Sequence, residues 1–284
     1  MDQNPAAFNL FGKIVPNPIA FSLFGKIEIR WYGILIAIGL VLGIVLAYYI
    51  AKYRNLKADE VINFAPFGII GGVLGARLLH VLVNISYYSK HPASIFAYRQ
   101  GGLAIQGVVI GGVIALIIFT KVRKVSFWAF SDIMVPGLAI AQSIGRWGNY
   151  FNQEAFGRPT SSSIGIFIAP ENRPADYMSA EYFHPTFLYE SIANMILFII
   201  LILTHYWFKK KPNKYPDGLI FCVYLIIYSL YRIFIESYRI DSSYVGTIKV
   251  VYLISGATII AAFVLANILI NRFNARKKEQ EPSE

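Results

Sequence analysis

The chain has 284 residues, of which 56% are hydrophobic and 15% charged, and its formal net charge is +10 at pH 7. A soluble domain is typically about 45–50% apolar and about 25% charged, so both fractions argue against a soluble protein. In a membrane protein the basic surplus is explained by Lys and Arg in cytoplasmic loops, which makes nucleic-acid binding an unnecessary explanation.

The first 30 residues precede any segment that can span a bilayer. Residues 1–10 contain Asp2 and lack the basic region that begins a secretory signal peptide. Residues 18–33 are interrupted by polar side chains, so we interpret them as an interfacial lead-in to the first helix.

Seven segments approach the roughly 20 apolar residues that cross a bilayer as a helix. These predicted spans are residues 33–51, 61–84, 103–120, 127–145, 185–207, 217–237 and 247–270. The second and fourth contain Gly, Pro and polar residues, which are tolerated where neighbouring helices or a wet cavity satisfy the backbone. The sequence therefore predicts an all-α membrane protein in which residues 1–284 form a single polytopic domain.

The orientation follows from the basic residues between the spans. The richer side holds Lys52, Arg54, Lys57, Lys121, Arg123, Lys124, Lys209, Lys210, Lys211, Lys214, Arg272, Arg276, Lys277 and Lys278. The loops between spans on the other side hold Lys90, Arg99, Arg146, Arg158, Arg173 and Arg239. The positive-inside rule places the richer side in the cytoplasm. The amino terminus is then outside, residues 146–184 form a small extracytoplasmic cap, and residues 271–284 form a cytoplasmic tail.

Several charged residues fall within the predicted spans, where each costs at least about 2.5–3.5 kcal/mol unless it faces a cavity or a partner. They are Arg77, Asp132, Glu190, Arg232 and Glu236. Arg232 and Glu236 are four residues apart, so they lie on one helix face and can pair. Tyr228 and Arg239 lie about one turn before and after them. This stripe is either an ion-pair ladder between helices or the lining of a functional cavity.

The run "GRWGNYFNQEAFGRPT", residues 145–160, gathers polar residues and helix breakers at the outer end of the fourth span. Near this end Arg146, Arg158, Arg232 and Arg239 outnumber Glu154 and Glu236. Arginine presents forked donors that match a phosphate, and glycine lets backbone approach a ligand closely. We therefore expect a site for an anionic phospholipid. An anion or lipid transporter without covalent chemistry fits equally well on this evidence, and a structural scaffold stays open.

The run "GGLAIQGVVIGG", residues 101–112, opens the third span with small residues that favour close helix packing. Packing does not explain Gln106, whose amide needs partners in an apolar turn. The four histidines are isolated in sequence, and the single cysteine, Cys222, lies in an apolar run, so no metal site is expected.

The run at 145–160 resembles the signature of the prolipoprotein diacylglyceryl transferase family. The resemblance continues in "RWYGILIAIG" (30–39), "GARLLHVL" (75–82), "GGLAIQGVVIGG", "HPTFLYES" (184–191) and "YRIFIESYR" (231–239). It implies a seven-helix enzyme of the bacterial plasma membrane that needs no cofactor. Such an enzyme transfers diacylglyceryl from phosphatidylglycerol to the lipobox cysteine of a prolipoprotein signal peptide, forming a thioether and releasing glycerol phosphate.

The resemblance also implies site residues, which we combine with the charged stripe of the sixth span. The predicted phosphatidylglycerol-binding residues are Arg146, Asn149, Glu154, Gly157, Arg239 and Tyr32. The predicted catalytic residues are Arg232, Tyr228, Glu236 and Gln106. Many family members have histidine where this chain has Gln106. Because glutamine is a poor proton acceptor, a base at this position is in doubt for this chain.

Overall fold

The computed structural model describes residues 11–25, 27–97, 101–211 and 214–280. The predictions made for residues 1–10, Arg99 and residues 281–284 lie outside these ranges. Within the ranges, seven helices are long and apolar enough to cross a membrane. The chain is thus a multi-pass membrane protein, as its composition predicted.

The described part of the chain contains eight α-helices and six short strands. The helices are α1 (Trp31–Tyr53), α2 (Asp59–Val83), α3 (Ile85–Tyr88), α4 (Ile105–Arg123), α5 (Phe127–Asn152), α6 (Thr186–Lys209), α7 (Leu219–Glu236) and α8 (Val250–Gln280). The strands form three antiparallel pairs: β1 (Ile19–Leu23) with β2 (Ile27–Arg30), β3 (Ile166–Phe167) with β4 (Tyr182–Phe183), and β5 (Tyr244–Val245) with β6 (Ile248–Lys249). All helices except α3 correspond to predicted spans.

Helix α5 continues through residues 146–152, so the prediction that the external loop begins at 146 was wrong. The polar residues of this stretch resemble a loop, but the aromatic residues between them pack on neighbouring helices. Trp147 meets Phe187 edge to face with ring centroids 5.4 Å apart, and Phe151 stacks on Trp31 at 5.2 Å. These contacts extend the helix beyond its hydrophobic span. Helix α8 likewise runs on into the predicted tail.

The residues preceding the first span, which the sequence predicts to be an interfacial lead-in, form a hairpin. Strands β1 and β2 pair in antiparallel register, and Phe24 and Gly25 at the turn have φ angles of 51° and 65°. Trp31 then begins α1 directly after β2, and its backbone N–H donates to Pro18 O at 3.0 Å.

The chain divides into two compact units, the first made of residues up to Val45 and from Met134 onward, the second of Leu46–Ile133. In the second unit α2 and α4 pack at backbone contact. A Cβ atom added at Gly107 or Gly111 would collide with the backbone of α2 at Gly75 or Gly71. The packing role predicted for glycines in the 101–112 run is therefore confirmed at these two positions.

The core of the first unit lies between α5, α6 and α7. Its buried residues are Val135, Ala139, Leu197, Leu201, Ile220 and Tyr224. Helix α7 packs against both α6 and α8, and α1 meets α5 so closely that a Cβ at Gly137 would collide with Gly43 O. Helices α5, α6 and α7 share this core, and polar side chains also connect α7 with α5 and with α6.

The segment between α5 and α6, residues 153–185, folds around an apolar core of its own. That core contains Phe156, Ile166, Ile168 and Phe183, with Phe187 from α6. Gln153 has a φ of 50° and is buried, and its side chain donates to Phe167 O and accepts from Ala169 N–H. Helix α5 thus ends just before Gln153, and the side-chain amide of Gln153 holds the following segment in place through these two hydrogen bonds.

Candidate active site

The centre of the candidate site is the carboxylate of Glu190, which is 1% exposed and lies one turn into α6. Three arginines from three parts of the chain contact it. Arg146 Nη2 on α5 lies 2.6 Å from Oε2, Arg232 Nη1 on α7 lies 3.0 Å from Oε1, and Arg239 Nη1 lies 3.1 Å from Oε1. Arg146 and Arg232 are therefore brought together on one acidic side chain.

The pattern of α6 explains why Glu190 points inward. Thr186, Phe187, Glu190, Ser191 and Asn194 are all buried, and their spacing of three and four residues makes one face of the helix. The polar members of this face have partners on α5 and α7: Ser191 bonds Ser143 and Trp147, and Tyr231 donates to Asn194 at 2.8 Å. A polar stripe at the start of an apolar helix thus defines the site.

Arg232 is held on two sides. Its Nη1 donates to Glu190, and its Nη2 donates to Glu236 Oε2 at 2.9 Å across one helical turn. The pair predicted from the four-residue spacing of Arg232 and Glu236 is confirmed. Both carboxylates are almost completely buried, while Arg232 retains 13% side-chain exposure. The orientation of this guanidinium is set by two fixed acids.

Arg239 uses all of its nitrogens within the protein. Its Nε and Nη2 donate to the two oxygens of Asp241 at 2.9 and 2.6 Å, and its Nη1 donates to Glu190. Burial alone would raise the pKa of Asp241, but the hydrogen bonds and charge of Arg239 outweigh it and hold that pKa below its ordinary value. The predicted contact of Arg239 with lipid stays a prediction, and the geometry favours a bracing role.

Arg146 is the least committed of the three arginines. Its side chain is 26% exposed, twice the fraction of Arg232 or Arg239. Glu190 Oε2 accepts no well-aligned hydrogen bond within the described residues, so its approach to Arg146 is a charge contact. Arg146 has no other acceptor in that part of the chain, so its guanidinium keeps donors for a ligand.

The remaining signature residues form a second group at the end of α5. Asn149 and Asn152 both donate to Glu154 Oε1, at 2.9 and 3.2 Å. Gly157 donates its N–H to His184 O and pairs with Arg239 in a β-bridge; a Cβ there would meet Tyr238 O at 2.9 Å. Glu154 thus orders its own turn, while Gly157 joins that turn to the residues after α7.

The ring of Tyr32 lies against the backbone of α5 at Gly148. A Cβ atom added at Gly148 would collide with this ring. Tyr228 stacks on Tyr224 with ring centroids 5.7 Å apart. The hydroxyl of Tyr228 has no hydrogen-bond partner in the described ranges. Gln106 belongs to the other unit, where its side chain is exposed and makes no hydrogen bond to any described residue.

The surplus of arginine over acidic residues at the site is smaller in the structure than the sequence predicts, because the predicted count does not include Glu190 and Asp241. In the sequence Glu190 stands out only as a charge at bilayer depth, and nothing marks Asp241 as part of the site. The i, i+3, i+4 spacing of Thr186, Phe187, Glu190 and Ser191 was the available signal for Glu190. Arg158 is exposed and donates to Ser237 O at 2.7 Å, not to any of these acids.

Comparison with known proteins identifies the family to which the chain belongs. The family model described as prolipoprotein diacylglyceryl transferase matches residues 18–268. The chain belongs to the prolipoprotein diacylglyceryl transferase family. The matched region contains every predicted site residue.

Curated members of the family resemble the chain over most of its length. A Nostoc protein named phosphatidylglycerol–prolipoprotein diacylglyceryl transferase is 44% identical over 81% of this chain and 81% of its own. A Synechococcus protein of the same name is 45% identical over 78% and 79%. One from Synechocystis is 40% identical over 80% of both chains. These transferases are enzymes by name, which does not favour the transporter alternative.

Proposed function

We propose that this protein transfers the diacylglyceryl group of phosphatidylglycerol to the lipobox cysteine thiol of prolipoproteins. The sulfur forms a bond to the glycerol carbon, the bond from that carbon to the phosphate oxygen breaks, and glycerol phosphate leaves. The main structural support is Arg146, a partly exposed guanidinium with uncommitted donors beside the buried Glu190 and Arg232. Family membership supports the same reaction.

In this proposal Arg146 binds the lipid phosphate. A planar guanidinium matches two phosphate oxygens at once, and it gains most where water is partly excluded. The contact of Arg146 with Glu190 orients its fork without using all of its donors. Asn149, Glu154 and Gly157 shape the adjacent turn, and Tyr32 packs beside the same helix.

Arg232 acts on the reacting groups. A free cysteine has a pKa of about 8.5, and nearby cations favour its thiolate. The same charge offsets the negative charge that develops on the departing phosphate. Glu190 and Glu236 fix Arg232 from two sides, and Tyr228, on the same helix face, offers a hydroxyl without a described partner.

The thiol proton goes to a group other than the arginines, which are poor acceptors, and other than Gln106, whose amide does not titrate. The acceptors compatible with this site are the departing phosphate, the exposed carboxylate of Glu154, and water. The proposed substrates also imply a location. Phosphatidylglycerol is a lipid of the bacterial plasma membrane, so we expect the protein in that membrane with its site facing outward.

The deciding experiment uses the full chain in phosphatidylglycerol-containing nanodiscs with a synthetic lipobox peptide. Mass spectrometry should show a diacylglyceryl gain on the peptide cysteine with wild type and none with Arg146→Ala. Arg30→Ala is a matched control, because the Arg30 side chain is 60% exposed and its ion pair with Glu28 is long, at 3.9 Å. Anion flux through proteoliposomes without peptide modification would instead establish the transporter alternative.

A further inference from the structure

The charges of the arginine–carboxylate cluster cancel. The cluster consists of Arg146, Arg232 and Arg239 with Glu190, Glu236 and Asp241, three cations against three anions. A neutral cluster attracts a phosphate weakly over distance, because only a net field steers an anion towards its donors. A further positive charge close to the carboxylates therefore strengthens the attraction of the site for an anionic lipid.

Lys249 supplies that charge from a different element. It ends β6, immediately before α8, and its ammonium is half-buried beside the end of α7. Its Nζ donates to Glu236 O at 2.7 Å and to Arg239 O at 3.1 Å. The two residues whose carbonyls it binds are themselves members of the cluster.

The contact with Glu236 O lies at the carboxyl-terminal end of α7, whereas Arg239 O belongs to the turn that follows the helix. The last carbonyls of a helix have no partner within the helix, and a cation is favourable there because of the helix dipole. Helix α7, which is described over its whole length, has no basic residue in its last turn. Lys249 takes that place from across the β5–β6 hairpin and joins the end of α7 to the start of α8.

We propose that Lys249 is a positioning residue that holds the carbonyls of Glu236 and Arg239 and gives the arginine–carboxylate cluster the positive charge that attracts the lipid phosphate. This inference rests on the proposed function. It predicts that loss of the ammonium weakens phosphatidylglycerol binding more than it weakens the fold.

The groups facing Lys249 are Glu236 on α7, Arg239 and Asp241 after it, and Arg158 from the loop after α5. Burial lowers the pKa of Lys249 below its ordinary value; the two acids oppose this, and the two arginines add to it. As pH rises, the ammonium loses its charge earlier than an exposed lysine does. The KM for phosphatidylglycerol should then rise on the alkaline side.

The test measures KM and kcat for transfer to a lipobox peptide in mixed micelles with a varied fraction of phosphatidylglycerol. Lys249→Met should raise the KM at least roughly tenfold, since it removes a charge that steers the anionic lipid towards its donors. Lys249→Arg should restore most of the affinity and move the alkaline rise in KM to higher pH. Lys13→Met is the control, because Lys13 is 60% exposed and its contacts, Glu181 and the ring of Phe167, do not belong to the cluster.

The possible outcomes separate the two proposals. An unchanged KM in Lys249→Met, or a Lys249→Arg variant as impaired as Lys249→Met, would overturn the inference while wild-type transfer still supports the function. If wild type transfers nothing, the proposed function fails and the inference fails with it.

Discussion

Arg146 and Arg232, from helices α5 and α7, contact the two different oxygens of the Glu190 carboxylate at 2.6 and 3.0 Å. A single acid therefore sets the distance between the guanidinium proposed to bind the phosphate and the one proposed to stabilise the leaving group. This arrangement makes the first two predictions specific.

Replacement of Glu190 by glutamine should destabilise the protein as well as inactivate it. The variant leaves three guanidinium groups around a neutral amide, and breaking a buried ion pair typically costs about 3–5 kcal/mol. We expect a clearly lower Tm in detergent. Glu171→Gln is the control, because Glu171 is exposed and should leave Tm unchanged. A Glu190→Gln variant with wild-type Tm would show that the cluster does not hold the helices.

Arg232→Lys should inactivate the enzyme although it keeps the charge. A lysine ammonium cannot donate from two fixed directions to Glu190 and Glu236, so its charge is no longer aimed at the reacting groups. Losing one preorganised donor typically costs about 10²–10³ in kcat. The transfer assay with the lipobox peptide measures this loss. Near-normal kcat in Arg232→Lys would mean that charge alone suffices.

Gly148→Ala should impair transfer, whereas Gly145→Ala should not. A Cβ at Gly148 collides with the ring of Tyr32, while a Cβ at Gly145 has nothing within 4 Å. Both positions lie in α5, so the gain of about 0.8–1 kcal/mol in helix propensity is common to both. The comparison isolates the displacement of Tyr32. Equal activities of the two variants would remove Tyr32 from the site.

His184 should make the protein sensitive to acid. Burial, and then the charge of Arg158, lowers the pKa of this imidazole below its ordinary value. A group whose pKa is lower in the folded state stabilises the fold above its unfolded pKa, about 6.5, and loses that contribution as pH falls through the folded value. Tm should therefore drop less between neutral and acidic pH in His184→Gln than in wild type. Parallel curves would refute the prediction.

Gln106→Ala should keep the wild-type pH profile of transfer. The amide does not titrate, and it makes no hydrogen bond to any residue in the described ranges, so removing it takes away no proton acceptor. Transfer rates measured across pH test this directly. A shifted profile in the variant would show that position 106 influences a proton-transfer step after all.

The membrane helices were predictable because bilayer thickness fixes their length and hydropathy marks them. The pairing of Arg232 with Glu236 was predictable because helix geometry places residues four apart on one face. The last two turns of α5 were missed, since their stability comes from aromatic contacts such as that of Phe151 with Trp31, which depend on tertiary packing.

The meeting of three arginines at Glu190 depends on how α5, α6 and α7 are rotated relative to one another, which local periodicity does not encode. Lys249 was missed for a related reason. It reaches the end of α7 only because the β5–β6 hairpin turns the chain back. A count of charges along the chain therefore left out both the acid at the centre and the cation at the edge.

The β-bridge between Gly157 and Arg239 bears on the order of events during synthesis. The ribosome delivers the segment after α5 well before it delivers the end of α7, and chains generally fold from the amino terminus as they emerge. The earlier segment must wait for two more helices to enter the bilayer. Lipid-binding competence is consequently a late step of biogenesis, and truncation before residue 239 should yield an inserted but inactive protein.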